Sequence, residues 1–110
     1  MEKEQCRKSL VAIRDTLDIV GGKWKLILLA VLQKGSRKFN ELAKETGISP
    51  RILSKELQEL EINGLINRKV NNTKPITVEY SATKYCSTLS EFIDAAEKWG
   101  IQHRKKILQK

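Results

Sequence analysis

Histidine, cysteine and aromatic residues are scarce in this chain, and each scarcity argues against a class of protein. Its 110 residues include one histidine, two cysteines and only 5% aromatic residues. The two cysteines, Cys6 and Cys86, are far apart and form no CxxC pair, so neither a structural disulfide nor a metal site is predicted. No Ser/His/Asp set, phosphate-binding glycine loop or paired-carboxylate site stands out. We therefore expect no enzymatic activity, no cofactor and no bound metal.

Long apolar runs are also missing. The longest extends over seven residues, from Leu26 to Leu32, whereas a membrane-spanning helix needs about 20. The first five residues are not followed by the apolar core of a signal peptide. These features predict a cytoplasmic protein, and the length predicts a single domain over residues 1–110.

Acidic residues are outnumbered by basic ones. The chain has 21 Lys and Arg against 13 Asp and Glu, which gives a net charge of +8. We therefore expect an anionic partner, and nucleic acid first. Residues 98–110 carry five basic residues and no acid. This basic tail either touches DNA or only solvates the end of a helix and complements its dipole.

The apolar pattern predicts three long helices in addition to a helix pair. Apolar residues recur at steps of four and three over about residues 5–20, and Gly21-Gly22 ends this stripe. Residues 23–34 are apolar on nearly all sides, which predicts a central buried helix. A third stripe covers about residues 83–107, with Thr83 as a possible cap. Within these patterns we expect Trp24, Trp99 and Cys86 to pack in the core.

Residues 39–63 predict two short helices joined by the turn Gly47–Pro50. In the second helix, Leu53, Leu57 and Leu60 fall on one side. The opposite side carries donors and amides with no acid among them, which is typical of a helix that enters the major groove of DNA. An ordinary solvated helix face is the alternative. The predicted DNA contacts of this segment are Ser49, Arg51, Ser54, Lys55 and Gln58.

Two strands, residues 65–70 and 76–81, are predicted to follow, joined by a polar loop. Helices followed by a hairpin with a basic tip are the order of a winged helix-turn-helix. The fold class is thus α+β and mostly helical, with the wing at about residues 65–81. In the wing, the residues predicted to contact phosphates or the minor groove are Arg68, Asn72, Thr73 and Lys74.

Several short segments then carry a family resemblance, in the right order and over about residues 5–104. They are Leu17–Trp24, Phe39–Leu42, Ile52–Glu61, Gly64–Ile66, Val78–Ser81 and Trp99-Gly100. The chain resembles the HxlR-type family of winged-helix transcriptional regulators. The resemblance implies a bacterial or archaeal homodimer that binds double-stranded DNA, more commonly as a repressor.

The resemblance also implies that the N- and C-terminal helices, about residues 5–20 and 83–107, hold the dimer together. The interface residues predicted on this basis are Leu10, Ile13, Leu17, Leu89, Phe92, Ile93, Ala96 and His103. The two recognition helices of such a dimer should meet successive major grooves of a palindromic operator.

Some members of the family sense oxidants or electrophiles through an N-terminal cysteine, usually followed by proline. Cys6 is the candidate here, but Arg7 follows it, and it lies eighteen residues before Trp24, about one helical turn further than the pattern expects. The alternative prediction is that Cys6 is a small buried apolar residue, since it shares a stripe with Leu10 and Ile13.

Two other function classes stay open on the sequence. One is a winged helix that binds RNA or the ribosome, and the other is a protein-interaction module whose basic face binds an acidic partner. Salt-dependent binding to random DNA does not separate these classes, because any polycation shows it.

Overall fold

The computed structural model describes residues 2–109; Met1 and Lys110, the last residue of the basic tail, lie outside it. The described residues form five α-helices, three short strands and a 3-10 turn. In chain order these are α1 Glu2–Val20, α2 Lys25–Lys34, β1 Arg37–Lys38, α3 Phe39–Thr46, α4 Pro50–Ile62, β2 Ile66–Asn71, β3 Thr77–Ala82, the 3-10 turn Tyr85–Leu89 and α5 Ser90–Leu108.

The three strands form one antiparallel sheet in the order β1-β3-β2. The hairpin β2–β3 is paired from Ile66 opposite Ala82 to Asn71 opposite Thr77, so the predicted wing is confirmed. Strand β1 was not predicted from the sequence, in which Arg37 and Lys38 indicate only an extended link. They pair with Tyr80 and Glu79 across β3, and a strand of two residues is too short to show a period in the sequence.

The core is built largely from buried leucines of α2, α3 and α4. Leu28 and Leu29 of α2 and Leu53 of α4 are each fully buried, and Leu57 and Leu60 are at most 1% exposed. Each such side chain contributes about 1.5–3 kcal/mol through burial. Helix α2 contacts α3, α4, α5 and β3, which confirms it as the central helix.

Local backbone chemistry sets the angle between α3 and α4. Gly47 ends α3 with φ +72°, a left-handed conformation that glycine adopts without strain. The Ser49 hydroxyl then accepts from the Ile52 backbone N–H at 3.4 Å, and Pro50 occupies the first turn of α4. Gly64, with φ +74°, ends the helix and leads into the wing. Helix α3 therefore ends at Thr46 and α4 begins at Pro50, on the two sides of the turn.

The two terminal helices are mostly exposed. Helix α1 buries only Val20, and α5 buries only Ile93. Trp24 packs against the core as predicted, and Cys86 is fully buried. The prediction that Trp99 packs in the core is wrong for the single chain, because its side chain is 68% exposed. Within residues 2–109, none of the helices combines the length and the apolar character needed to cross a bilayer.

Candidate nucleic-acid interface

Helix α4 has one buried side and one free side. Its three leucines lie in the core, while Arg51, Ser54, Lys55 and Gln58 are all exposed. The structure thus confirms the amphipathic arrangement on which the prediction of DNA contact depends. Ser49 is also exposed, but its hydroxyl oxygen already accepts the N-capping hydrogen bond, so its first role is to begin the helix.

Four acidic side chains of the helix-turn-helix have hydrogen-bonding partners, whereas Glu61, near the end of α4, is exposed. Lys25 donates to both Glu56 and Glu59 at 2.5 Å. Arg37 pairs with Glu45 at 2.7 Å, and the Glu41 carboxylate accepts from the Lys38 backbone N–H at 2.7 Å, which caps α3. These contacts neutralise Glu56 and Glu59 on α4, whose basic and amide side chains stay exposed.

The Lys25–Glu59 pair shifts the pKa of both of its members. Burial by itself lowers the pKa of Lys25, but hydrogen bonds to Glu56 and Glu59 outweigh it, so the pKa is raised overall. The hydrogen bond from Lys25 in turn lowers the pKa of Glu59 below its usual value. Both shifts favour the charged forms, and the ion pair is therefore complete at neutral pH.

Arg68 is a residue of the wing strand β2 and lies next to α4. With Ser54, Gln58, Glu61 and Tyr80 it lines a polar cleft of about 340 Å³. The structure therefore brings one predicted wing residue next to two predicted residues of α4. The other three wing residues, Asn72, Thr73 and Lys74, lie exposed in the loop at the hairpin tip. The Thr73 hydroxyl donates to the Pro75 carbonyl at 2.8 Å.

Two residues of the same surface were missed in the sequence. Lys38 and Asn40, at the start of α3, line a neighbouring cleft of about 440 Å³ together with Ser54 and Arg68. Both are exposed. The available signal was a basic pair, Arg37-Lys38, immediately before a helix, but only the pairing of β1 with β3 places it beside the wing.

The predicted dimer residues divide into exposed and buried groups. Leu10, Ile13 and Leu17 of α1 are each more than half exposed, and Phe92 is 41% exposed. By contrast, Ile93 is 6% exposed in the core of its own chain, and Leu89 packs partly against that core. Ala96 and His103 are exposed on α5.

An aromatic pair lies on the exposed side of α5. The rings of Trp99 and His103 stack with centroids 4.9 Å apart and an angle of 11° between their planes. Cys6 is exposed on α1, so the alternative prediction that it is a buried apolar residue is wrong for the single chain.

A helix-turn-helix whose second helix exposes a row of basic and amide side chains, followed by a two-stranded wing, defines a winged-helix DNA-binding protein. The model of the HxlR-like helix-turn-helix family matches residues 19–107, and the chain belongs to that family. It is 43% identical over 96 residues to the HTH-type transcriptional regulator YdeP of Bacillus subtilis strain 168, which covers 86% of this chain and 75% of YdeP. It is 35% identical to YtcD of the same organism over 108 residues, 97% of this chain and 83% of YtcD.

Solved structures agree with this assignment. The crystal structure of a putative HTH-type regulator, ytcD, aligns with a TM-score of 0.80 at 36% identity, over 84% of this chain and 96% of that one. The reduced form of the redox regulator HypR aligns with a TM-score of 0.81 at 35% identity, over 90% of this chain and 99% of that one. The protein is therefore a DNA-binding transcriptional regulator and not an enzyme.

Proposed function

We propose that the protein is a homodimeric, sequence-specific repressor that inserts α4 into the major groove and places its wing on the DNA backbone or in the minor groove. The observation that carries this proposal is the exposed face of α4, which presents Arg51, Ser54, Lys55 and Gln58 on the side opposite its buried leucines. Its side chains supply the donors and amides that read base edges and bind phosphates. The HTH-type regulators among its relatives support the same function.

Position along α4 separates base contacts from phosphate contacts. Arg51 lies in the first turn, the end of a recognition helix that enters the groove first. It is the best candidate for a bidentate contact with guanine. Lys55, one turn later, is assigned to a phosphate, and Arg68 and Lys74 extend the contact along the wing. These assignments predict different effects on sequence preference and on salt dependence.

The dimer is supported by apolar surface that one chain leaves in water. The α1 side chains Leu10, Ile13 and Leu17 and the α5 side chains Phe92, Trp99 and Ile107 are all more than 40% exposed. Apolar surface of this kind marks an association site in soluble proteins. A second copy of the chain would cover it, and two-fold symmetry would then place two α4 helices on half-sites about 34 Å apart.

The experiment that tests the function is a footprint on duplex DNA combined with competition by structured RNA of equal length and charge. A sequence-specific regulator protects a defined duplex site, and RNA displaces it only at large excess. If RNA competed as well as the specific duplex, the protein would instead be an RNA-binding winged helix. An unprotected duplex together with an acidic protein as the preferred ligand would indicate the interaction module.

Oxidant sensing through Cys6 is a second proposal, favoured by the exposure of its side chain and by the redox regulator HypR among the similar structures. Cys86 is buried, so a thiol reagent should modify Cys6 first. If Cys6 is a sensor, diamide should change operator binding of the native chain and leave a Cys6→Ser variant unaffected. Equal responses of the two proteins would remove the proposal.

A further inference from the structure

Lys25, the first residue of α2, forms two ion pairs with α4. Its Nζ donates to Glu56 Oε2 and to Glu59 Oε2, each at 2.5 Å. The side chains of Lys25 and Glu56 are 12% and 16% exposed, whereas that of Glu59 is 41% exposed. These three residues join the start of the central helix to the flank of the helix that is proposed to enter DNA.

Glu59 also lies beside a proposed DNA contact. It follows Lys55 by four residues, a spacing at which side chains on a helix interact. The hydrogen bond from Lys25 is the main cause that lowers the pKa of Glu59, and the charge of Lys55 lowers it further. Two lysines are therefore close enough to attract one carboxylate, and Lys25 is the lysine bonded to it.

We propose that Lys25 is a positioning residue for DNA binding, which holds the carboxylates of Glu56 and Glu59 away from the duplex and so leaves Lys55 free to contact a phosphate. This inference rests on the proposed function, because it requires α4 to meet DNA. Without Lys25, the Glu59 carboxylate beside the DNA-facing side would lose its partner and would pair with Lys55, and the Glu56 carboxylate behind it would add an uncompensated negative charge. Both changes oppose binding to a polyanion.

The test compares the native chain with K25M and with K25M/E56Q/E59Q in titrations of a selected operator duplex at several salt concentrations. Methionine keeps the length of the side chain without its charge. Each phosphate contact contributes about 0.9 to the slope of log binding constant against log salt concentration. Because K25M should lose one such contact per protomer, it should bind about tenfold more weakly per protomer near 0.1 M salt. Its slope should fall by about 1 per protomer. The triple variant should regain the native affinity and slope.

The salt slope separates positioning from simple support of the fold. A less stable variant has less folded protein, but its folded fraction still contacts the same number of phosphates. Circular dichroism and urea unfolding identify the folded fraction of each sample. K25M with native affinity and slope would overturn the inference, and so would a triple variant that binds as weakly as K25M.

A double-mutant cycle between E59Q and K55M decides the matter if K25M does not fold. With Lys25 holding Glu59, K55M should weaken operator binding equally in the native and E59Q backgrounds. A difference greater than about twofold between the backgrounds would show that Glu59 already engages Lys55, and the inference would be lost. Failure of the proposed function would give a different result. The native chain would show no sequence preference, and the Arg51→Ala variant would bind DNA as tightly as the native chain.

Discussion

Arg51 is the residue on which base recognition depends most. It is exposed in the first turn of α4, which the Ser49 cap and Pro50 fix in place. The change Arg51→Ala should cost about 1–3 kcal/mol of operator binding and relax the base preference at one position of each half-site. Operator titrations with each single-base variant of the site measure both effects.

Lys74→Ala is the contrasting substitution, since Lys74 lies at the wing tip and is proposed to contact the phosphate backbone of DNA. It should weaken binding to all sequences alike and lower the salt slope by about 1 per protomer. If both substitutions left operator binding unchanged, DNA would have to contact a different surface of the protein.

The Lys25 ion pairs should make stability depend on pH at both ends of the range. The lowered pKa of Glu59 means that its contribution to stability is present above the ordinary value of 4.5 and is lost as pH falls through the lowered value. The raised pKa of Lys25 means that its contribution is present below the ordinary value of 10.5 and is lost as pH rises through the raised value. The contribution of these two groups to stability should therefore be constant between these limits.

Urea unfolding of the native chain and of K25M/E56Q/E59Q over a pH series measures this dependence. The free energy of unfolding of the triple variant should fall less steeply than that of the native chain below about pH 4.5, because the shifted carboxylate is gone. Parallel curves for the two proteins would show that the ion pairs do not contribute.

At the scale of elements, the backbone of Gly64 determines how α4 leads into the wing. Its φ of +74° lies in the left-handed region, where a side chain adds about 1–2 kcal/mol of strain. Gly64→Ala should lower the free energy of unfolding by about that amount, and the matched control Gly64→Asn should lower it less, because asparagine tolerates this conformation. Chemical denaturation measures the difference. Equal losses for the two variants would point to a packing effect instead.

The sequence predicts elements well where the signal is local. The cap Ser49-Pro50, the left-handed Gly47 and Gly64 and the leucine stripe of α4 each lie within a few residues of what they specify, and the helix-turn-helix was placed correctly. Contacts between distant segments carry no such signal. The pairing of β1 with β3, which brings Lys38 to the interface, joins residues about 40 positions apart.

The same limit explains what was missed around the site. The bond between Glu59 and Lys25 joins residues 34 positions apart, and such a contact cannot be predicted from periodicity. Trp99 fits a helical apolar stripe, yet α5 of the single chain leaves it exposed. Periodicity shows which side of a helix is apolar, and it does not show whether the same chain or a second copy covers that side.

At the scale of the whole molecule, association depends on the exposed apolar side of α5 and the stripe of α1. The change Phe92→Glu should place a charge in the proposed interface and convert the dimer to a monomer, since burying an unpaired charge is costly. Sedimentation velocity measures the state directly. Ile62→Glu is the matched control, because Ile62 is 76% exposed at the end of α4 and lies outside the terminal helices. A Phe92→Glu variant that stays dimeric would remove this interface.

Selection of bound sites from a random pool of duplex DNA tests the central claim most directly. If two α4 helices enter successive major grooves, the selected molecules should share a palindromic sequence with half-sites about 10–10.5 base pairs apart. The same selection with Arg51→Ala should give a degenerate position in each half-site. A selected pool without any common sequence would contradict the account.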